Sequence, residues 1–175
     1  TLVSNNMPFF PVVAGCQWTK INYRCSTPTV NYPNVPQPTN CSPIYSPGWS
    51  PSRDVWVRVV VPPGITGMNF NTRSGTYNDD NMAIYRATNC STMTQLACDD
   101  ETASRSTGTP GWMPYISLGG LVPGETLYVR HYPWFGGTTL EGDFDFCVEP
   151  ACSTTVTNDE ACAAIALTVN SGCLY

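Results

Sequence analysis

Cations are scarce in this chain. It has one lysine, Lys20, and seven arginines against thirteen acidic residues, for a formal net charge of -5 over 175 residues. A surface that tracks phosphates needs clustered Lys and Arg, so nucleic acid is excluded as an expected partner. Histidine is scarcer still: His131 is the only one. With no histidine beside the cysteines and no paired CxxC spacing, a zinc site is not expected. No apolar run approaches the roughly 20 residues that a membrane-spanning helix requires. Sixteen prolines and fourteen glycines leave little uninterrupted chain for helices.

Short strands are present instead. "DVWVRVVVP" (54–62) alternates Val55, Val57, Val59 and Val61 on one face with Trp56, Arg58 and Val60 on the other. "ITGMNFNTR" (65–73), "NMAIYRA" (81–87), "PYISLGG" (114–120) and "TLYVRHYPW" (126–134) follow, and "GDFDFCVE" (142–149) puts Phe144, Phe146 and Val148 opposite Asp143 and Asp145. Turn signals separate them: "PPG", "TGTPG", "VPGE" and "FGG". Frequent short strands with Gly/Pro punctuation predict an all-β antiparallel sandwich or jelly roll.

Nine cysteines in a chain of this length imply disulfides and an oxidising, extracellular compartment. The odd number leaves one cysteine free or paired outside the chain. Cys90 and Cys98 bracket "STMTQLA", a loop that a disulfide between them would clamp, with a contribution of about 2–3 kcal/mol. Cys147 with Cys152 and Cys162 with Cys173 are further pairings suggested by proximity alone. The remaining pairings are open.

The sequence divides into a main module (1–150), a small polar linker (151–158) and a tail (159–175). Within the module, residues 26–52 form a long Pro/Asn/Thr-rich insert, too rich in proline for a central strand. It is expected to lie, ordered but irregular, across the sheets, tied down by Cys25 and Cys41. "EACAAIALTV" in the tail reads equally as a helix or a strand. "IALTVNSGC" (165–173) aligns with "PFFPVVAGC" (8–16) at Val, Gly and Cys, which suggests a second copy of one unit beginning about 157 residues later.

Taken together, "DVWVRVVVPPG", "NMAIYRATNCSTMTQLACDDE", "LGGLVPGETLYVRHY" and "GDFDFCV" resemble a repeated jelly-roll module of Bacteroidetes secreted and cell-surface proteins, related to bacterial pre-peptidase C-terminal domains. The resemblance covers roughly residues 5–149, and the tail resembles the opening of the next repeat. It departs at the longer proline-rich insert and at residues 1–7, which lack the opening cysteine that Cys162 supplies in the tail. The resemblance implies a non-catalytic structural or adhesive module, secreted and repeated in tandem or appended to an enzyme. It also implies that clustered acids in such jelly rolls bind calcium. Neighbouring copies are then the expected partners, with strand exchange at an exposed sheet edge as one route.

Two acidic clusters invite chemistry. Asp79 and Asp80 precede the "MAIY" run, and Asp99, Asp100 and Glu101 follow "QLAC". If these runs pair as a hairpin, all five carboxylates meet at one end. Calcium fits such a site, taking six to eight oxygen ligands at about 2.3–2.6 Å; a solvated turn built from Asp side chains is the alternative. A catalytic carboxylate pair requires two groups facing a cleft at a set separation, which adjacent acids in one turn do not supply. His131 lacks a GxSxG nucleophile, so no hydrolase triad is expected. Aromatic rings at loop ends, chiefly Tyr132, Trp134 and Trp112, form a candidate stacking platform for surface glycans. The alternative function is therefore a carbohydrate-binding module.

Overall fold

The structure, a computed structural model, describes residues 9–27, 29, 36, 38–39, 41, 53–89, 92–103, 111–133 and 142–151. The linker and tail beyond residue 151, the repeat register at 165–173, and much of the insert lie outside these residues.

Nine strands make the described part of the chain: β1 (Phe9–Phe10), β2 (Thr19–Asn22), β3 (Val55–Val60), β4 (Gly67–Ser74), β5 (Asp80–Asn89), β6 (Thr92–Asp99), β7 (Tyr115–Gly119), β8 (Thr126–Pro133) and β9 (Asp143–Pro150). They form a five-stranded sheet ordered β1-β3-β8-β5-β6 and a four-stranded sheet ordered β2-β9-β4-β7. Every pairing is antiparallel except β1 with β3. This is an all-β sandwich, as the spacing of the apolar runs predicts.

The alternation along β3 and β9 decides what faces inward. Val57, Val59, Val61, Phe144, Phe146 and Val148 all enter one core between the sheets, joined by Met68, Phe70, Met82, Ile84, Leu127 and Val129. Asp143 and Asp145 point the other way, where Lys20 reaches both at 3.3 and 3.5 Å and Arg73 reaches Asp145 at 2.9 Å. The short strands β1 and β2 carry too few residues to show a period, and only the ladder partners they add to, β3 and β9, make them strands.

The outer face of the five-stranded sheet is closed as well. Trp56, Ala83, Tyr85, Met93, Tyr128 and Tyr132 form a second buried cluster there. The described residues of the proline-rich insert lie against it. Thr29 Oγ1 donates to Asp54 at 2.8 Å and accepts from the Trp56 indole at 3.1 Å. Tyr85 donates its hydroxyl to the Pro36 carbonyl at 3.2 Å, and Gln95 makes two hydrogen bonds with the Thr39 backbone at 2.7 and 3.0 Å. Thr29, Pro36, Thr39 and Cys41 thus lie against the outer face of this sheet.

The disulfides differ from those expected. Cys98 is bonded to Cys41, with Cα atoms 4.4 Å apart, not to Cys90. The reason is geometric: β6 is extended, so Cys98 stands about 20 Å along the strand from Thr92, at the end away from the hairpin turn. There it meets the insert rather than its neighbours in sequence. Cys147 pairs with Cys16 across 131 residues, not with Cys152. Cys25, expected to tie down the insert, is exposed and free. Cys90 and the Cys162–Cys173 pairing lie outside the described residues.

Candidate functional site

The β5–β6 hairpin gathers the acids as expected. Met82 pairs with Asp99, so Asp79 and Asp80 at the start of β5 share one end of the sheet with Asp99, Asp100 and Glu101 at the close of β6. Trp112 joins them: its N–H donates to the Asn78 carbonyl at 2.7 Å and its carbonyl accepts from the Asp80 N–H at 3.0 Å. Gly111 makes this approach feasible. It has φ +89°, and a Cβ there would lie 2.5 Å from the Asn78 carbonyl oxygen.

The five carboxylates then part company. Asp80 is sealed in the inner core, where its oxygens pair with the Tyr23 hydroxyl and with His131 Nδ1, the latter at 2.8 Å. Tyr23 and His131 are fully buried, and the His131 ring sits 4.9 and 4.7 Å from those of Phe144 and Phe146. The only histidine of the chain is thus a core residue, packed where no substrate reaches it. Asp99 is equally committed: it accepts from the Thr102 N–H at 3.0 Å, the Thr102 hydroxyl at 2.5 Å and the Tyr115 N–H at 2.9 Å, so it fastens the end of β6 to the start of β7.

Asp79, Asp100 and Glu101 remain as the interacting set. Burial first, then repulsion from Asp80 and Glu101, pushes the Asp79 carboxyl up to about 6. Burial first, then repulsion led by Asp79 and Glu101, pushes Asp100 up to about 7. Acids that are partly desolvated and face like charge hold protons more tightly. Among the described residues no group of three or more His, Cys, Asp or Glu side chains stands close enough to hold a metal ion. Asp80 and Asp99 are already spent on protein donors, so a cage of all five carboxylates does not fit. Any cation here would take no more than two carboxylates from among Asp79, Asp100 and Glu101, with carbonyl and water oxygens completing its shell.

The expected glycan platform is divided too. Tyr132 is only 5% exposed; its hydroxyl donates to Cys41 Sγ at 3.2 Å, beneath the insert. Its ring presents no face to a sugar, which corrects the expectation from its position near a strand end. Trp112, by contrast, is 56% exposed. Trp134 lies outside the described residues.

One buried ion pair escaped the sequence reading. Arg130 Nη2 lies 2.5 Å from Asp54 Oδ2, both side chains 1% exposed, with the guanidinium 5.1 Å from the centre of the Trp56 ring. The register of β3 against β8, which sets Trp56 opposite Arg130, creates it. Alternation does place Trp56 and Arg130 on the outer face, but nothing in the sequence says that the insert covers that face.

No helix among the described residues is long and apolar enough to cross a membrane. Comparisons of the chain with protein-family models, with curated proteins and with solved structures return no match.

Proposed function

We propose that the chain is a non-catalytic sandwich module of the jelly-roll kind it resembles, part of a secreted or cell-surface protein, with a structural or adhesive role. The observation that carries this reading is the fate of its polar side chains. His131, Asp80, Tyr23, Asp99, Arg130 and Asp54 would be the natural candidates for acid–base work, and each is consumed in bracing the sandwich. Catalytic groups need access to substrate at hydrogen-bonding distance. Disulfides between distant segments suit an oxidising compartment.

Asp79 and Asp100 are the groups to test, because perturbed acids near a surface mark active sites when active sites exist. The expected outcome is no turnover of chromogenic ester, glycoside or peptide substrates by the purified chain. Turnover that disappears in Asp79→Asn or Asp100→Asn, with unchanged melting temperature, would overturn the reading. The same acids support a proposed calcium role, in which a bound cation relieves the repulsion among Asp79, Asp100 and Glu101 and orders this end of the sheet.

A second reading, carbohydrate binding, is favoured by one feature, the exposed Trp112 ring beside Asp79. Binding on a glycan array that is lost in Trp112→Ala would establish it.

A further inference from the structure

The end of the five-stranded sheet away from the acids carries a cleft of about 490 Å3, lined by Arg58, Arg86, Thr88, Glu125 and Tyr128 among others. Two of the eight cationic side chains of a net-negative chain therefore meet at one place. Among the described lining residues Glu125 is the one acid. It is bound by Arg86 at 2.5 and 3.0 Å and accepts the Val122 N–H at 2.7 Å, so it shapes the wall. Arg58 extends over the ring of Phe9, 3.8 Å from its centre.

The large exposed apolar side chains of the described residues complete the pattern. Phe9 and Val122 stand at the cleft end, 55% and 60% exposed, and Trp112 stands at the acidic end. The two ends are separated along β5, with Asp80 and Arg86 about 20 Å apart at the usual rise of an extended strand. One end offers a protruding indole flanked by carboxylates. The other offers a recess with guanidinium groups and an apolar rim.

We propose that the Arg58–Arg86 cleft receives the acidic end of a second copy of this chain, with Trp112 entering the recess and Asp79 and Glu101 facing the arginines. A guanidinium attracts the face of an indole, and opposite charges at the rim set the orientation. Because the two surfaces lie at opposite ends of one strand, the contact is head to tail. It does not close as a two-fold pair and repeats into an open row. Separate chains associate through it weakly and in a salt-dependent way, whereas copies joined in one polypeptide gain from their high effective concentration. The inference deepens the structural-module reading and rests on it.

Sedimentation equilibrium of the 175-residue chain up to millimolar concentration tests the idea. The wild type is expected to form a concentration-dependent series without a dimer limit, weakened by salt. Arg58→Glu and Trp112→Ala should each weaken association about tenfold or more, the scale of an interface anchor; Arg58→Gln serves if the charge reversal disturbs folding. The decisive sample is an equimolar mixture of Arg58→Glu and Trp112→Ala. The first keeps its acidic end and the second keeps its cleft, so the mixture should give a 1:1 dimer and nothing larger. Oligomers indifferent to both substitutions overturn the cleft as the interface while leaving the structural module standing. A wild-type chain that stays monomeric overturns the inference, and one that also binds an acidic glycan through the cleft overturns the structural reading with it.

Discussion

The two faces of the five-stranded sheet are both buried, and by different means. The inner face is apolar and meets another sheet; Val57, Val59, Leu127 and Val129 interlock there with Phe144, Phe146 and Val148. The outer face is aromatic and charged, and it meets a proline-rich segment through Thr29, Pro36, Thr39 and Cys41. Hydrophobic burial closes the first. Closure of the second depends on a buried ion pair, side-chain hydrogen bonds to the backbone of the insert and one disulfide. With both of its faces covered, this sheet differs at its two strand ends, one carrying Asp79, Asp100 and Glu101 and the other Arg58 and Arg86.

The sharpest challenge to this comparison is a matched pair of truncations. Phe146→Ala in the inner core should cost about 3–5 kcal/mol. Arg130→Ala should cost a similar amount, about 3–5 kcal/mol, because it leaves Asp54 charged and buried without its partner. Urea unfolding of both variants reads this directly; a loss well under 1 kcal/mol for Arg130→Ala would mean that water already reaches the outer face.

Next in size is the strap itself. The double variant Cys41→Ala/Cys98→Ala opens a loop spanning 57 positions, for which chain entropy predicts a loss of roughly 4 kcal/mol. A smaller effect is expected from Tyr85→Phe, which removes the hydrogen bond to the Pro36 carbonyl and should cost about 1 kcal/mol.

The acidic end adds a pH signature. Asp79 and Asp100 have folded pKa values of about 6 and about 7, above the ordinary carboxylate value. A raised folded pKa gives a contribution that is fully present below the unfolded value near 4 and is lost as pH rises through 6 to 7. The melting temperature should therefore fall between pH 5 and pH 8, and Asp79→Asn/Asp100→Asn should flatten that slope. Calcium, if it is the proposed cation, should restore the midpoint at pH 8 and do little at pH 5, where the acids are protonated. A midpoint unmoved by calcium or by a chelator at pH 8 would end the calcium proposal.

The inner core was legible because period-two alternation survives in β3 and β9, whose Val and Phe residues have no other place to go. The hairpin that gathers Asp79, Asp80, Asp99, Asp100 and Glu101 was legible for the same reason, since two adjacent strands joined by a short turn must bring those ends together. What alternation could not convey was the second layer. Tyr132 reads as a strand-end ring open to sugars until the insert is laid over it, and Cys98 reads as the partner of its neighbour Cys90 until Cys41 arrives from 57 positions away. Both errors have one source: the insert has no period, so its docking face is written only in isolated side chains. Asp80 and Asp99 were misleading for a related reason. Their charge is visible in sequence, whereas only Thr102 among the donors that absorb it is a near neighbour; Tyr23, His131 and Tyr115 come from three other segments.

Side-chain labelling by hydroxyl radicals in the native chain tests the closed outer face most directly. Trp56, Tyr85 and Tyr132 should be protected as fully as Tyr23 and Phe144 in the inner core, while Trp112 and Phe9 label heavily. Labelling of Trp56, Tyr85 and Tyr132 at the rate of Trp112 would contradict the account.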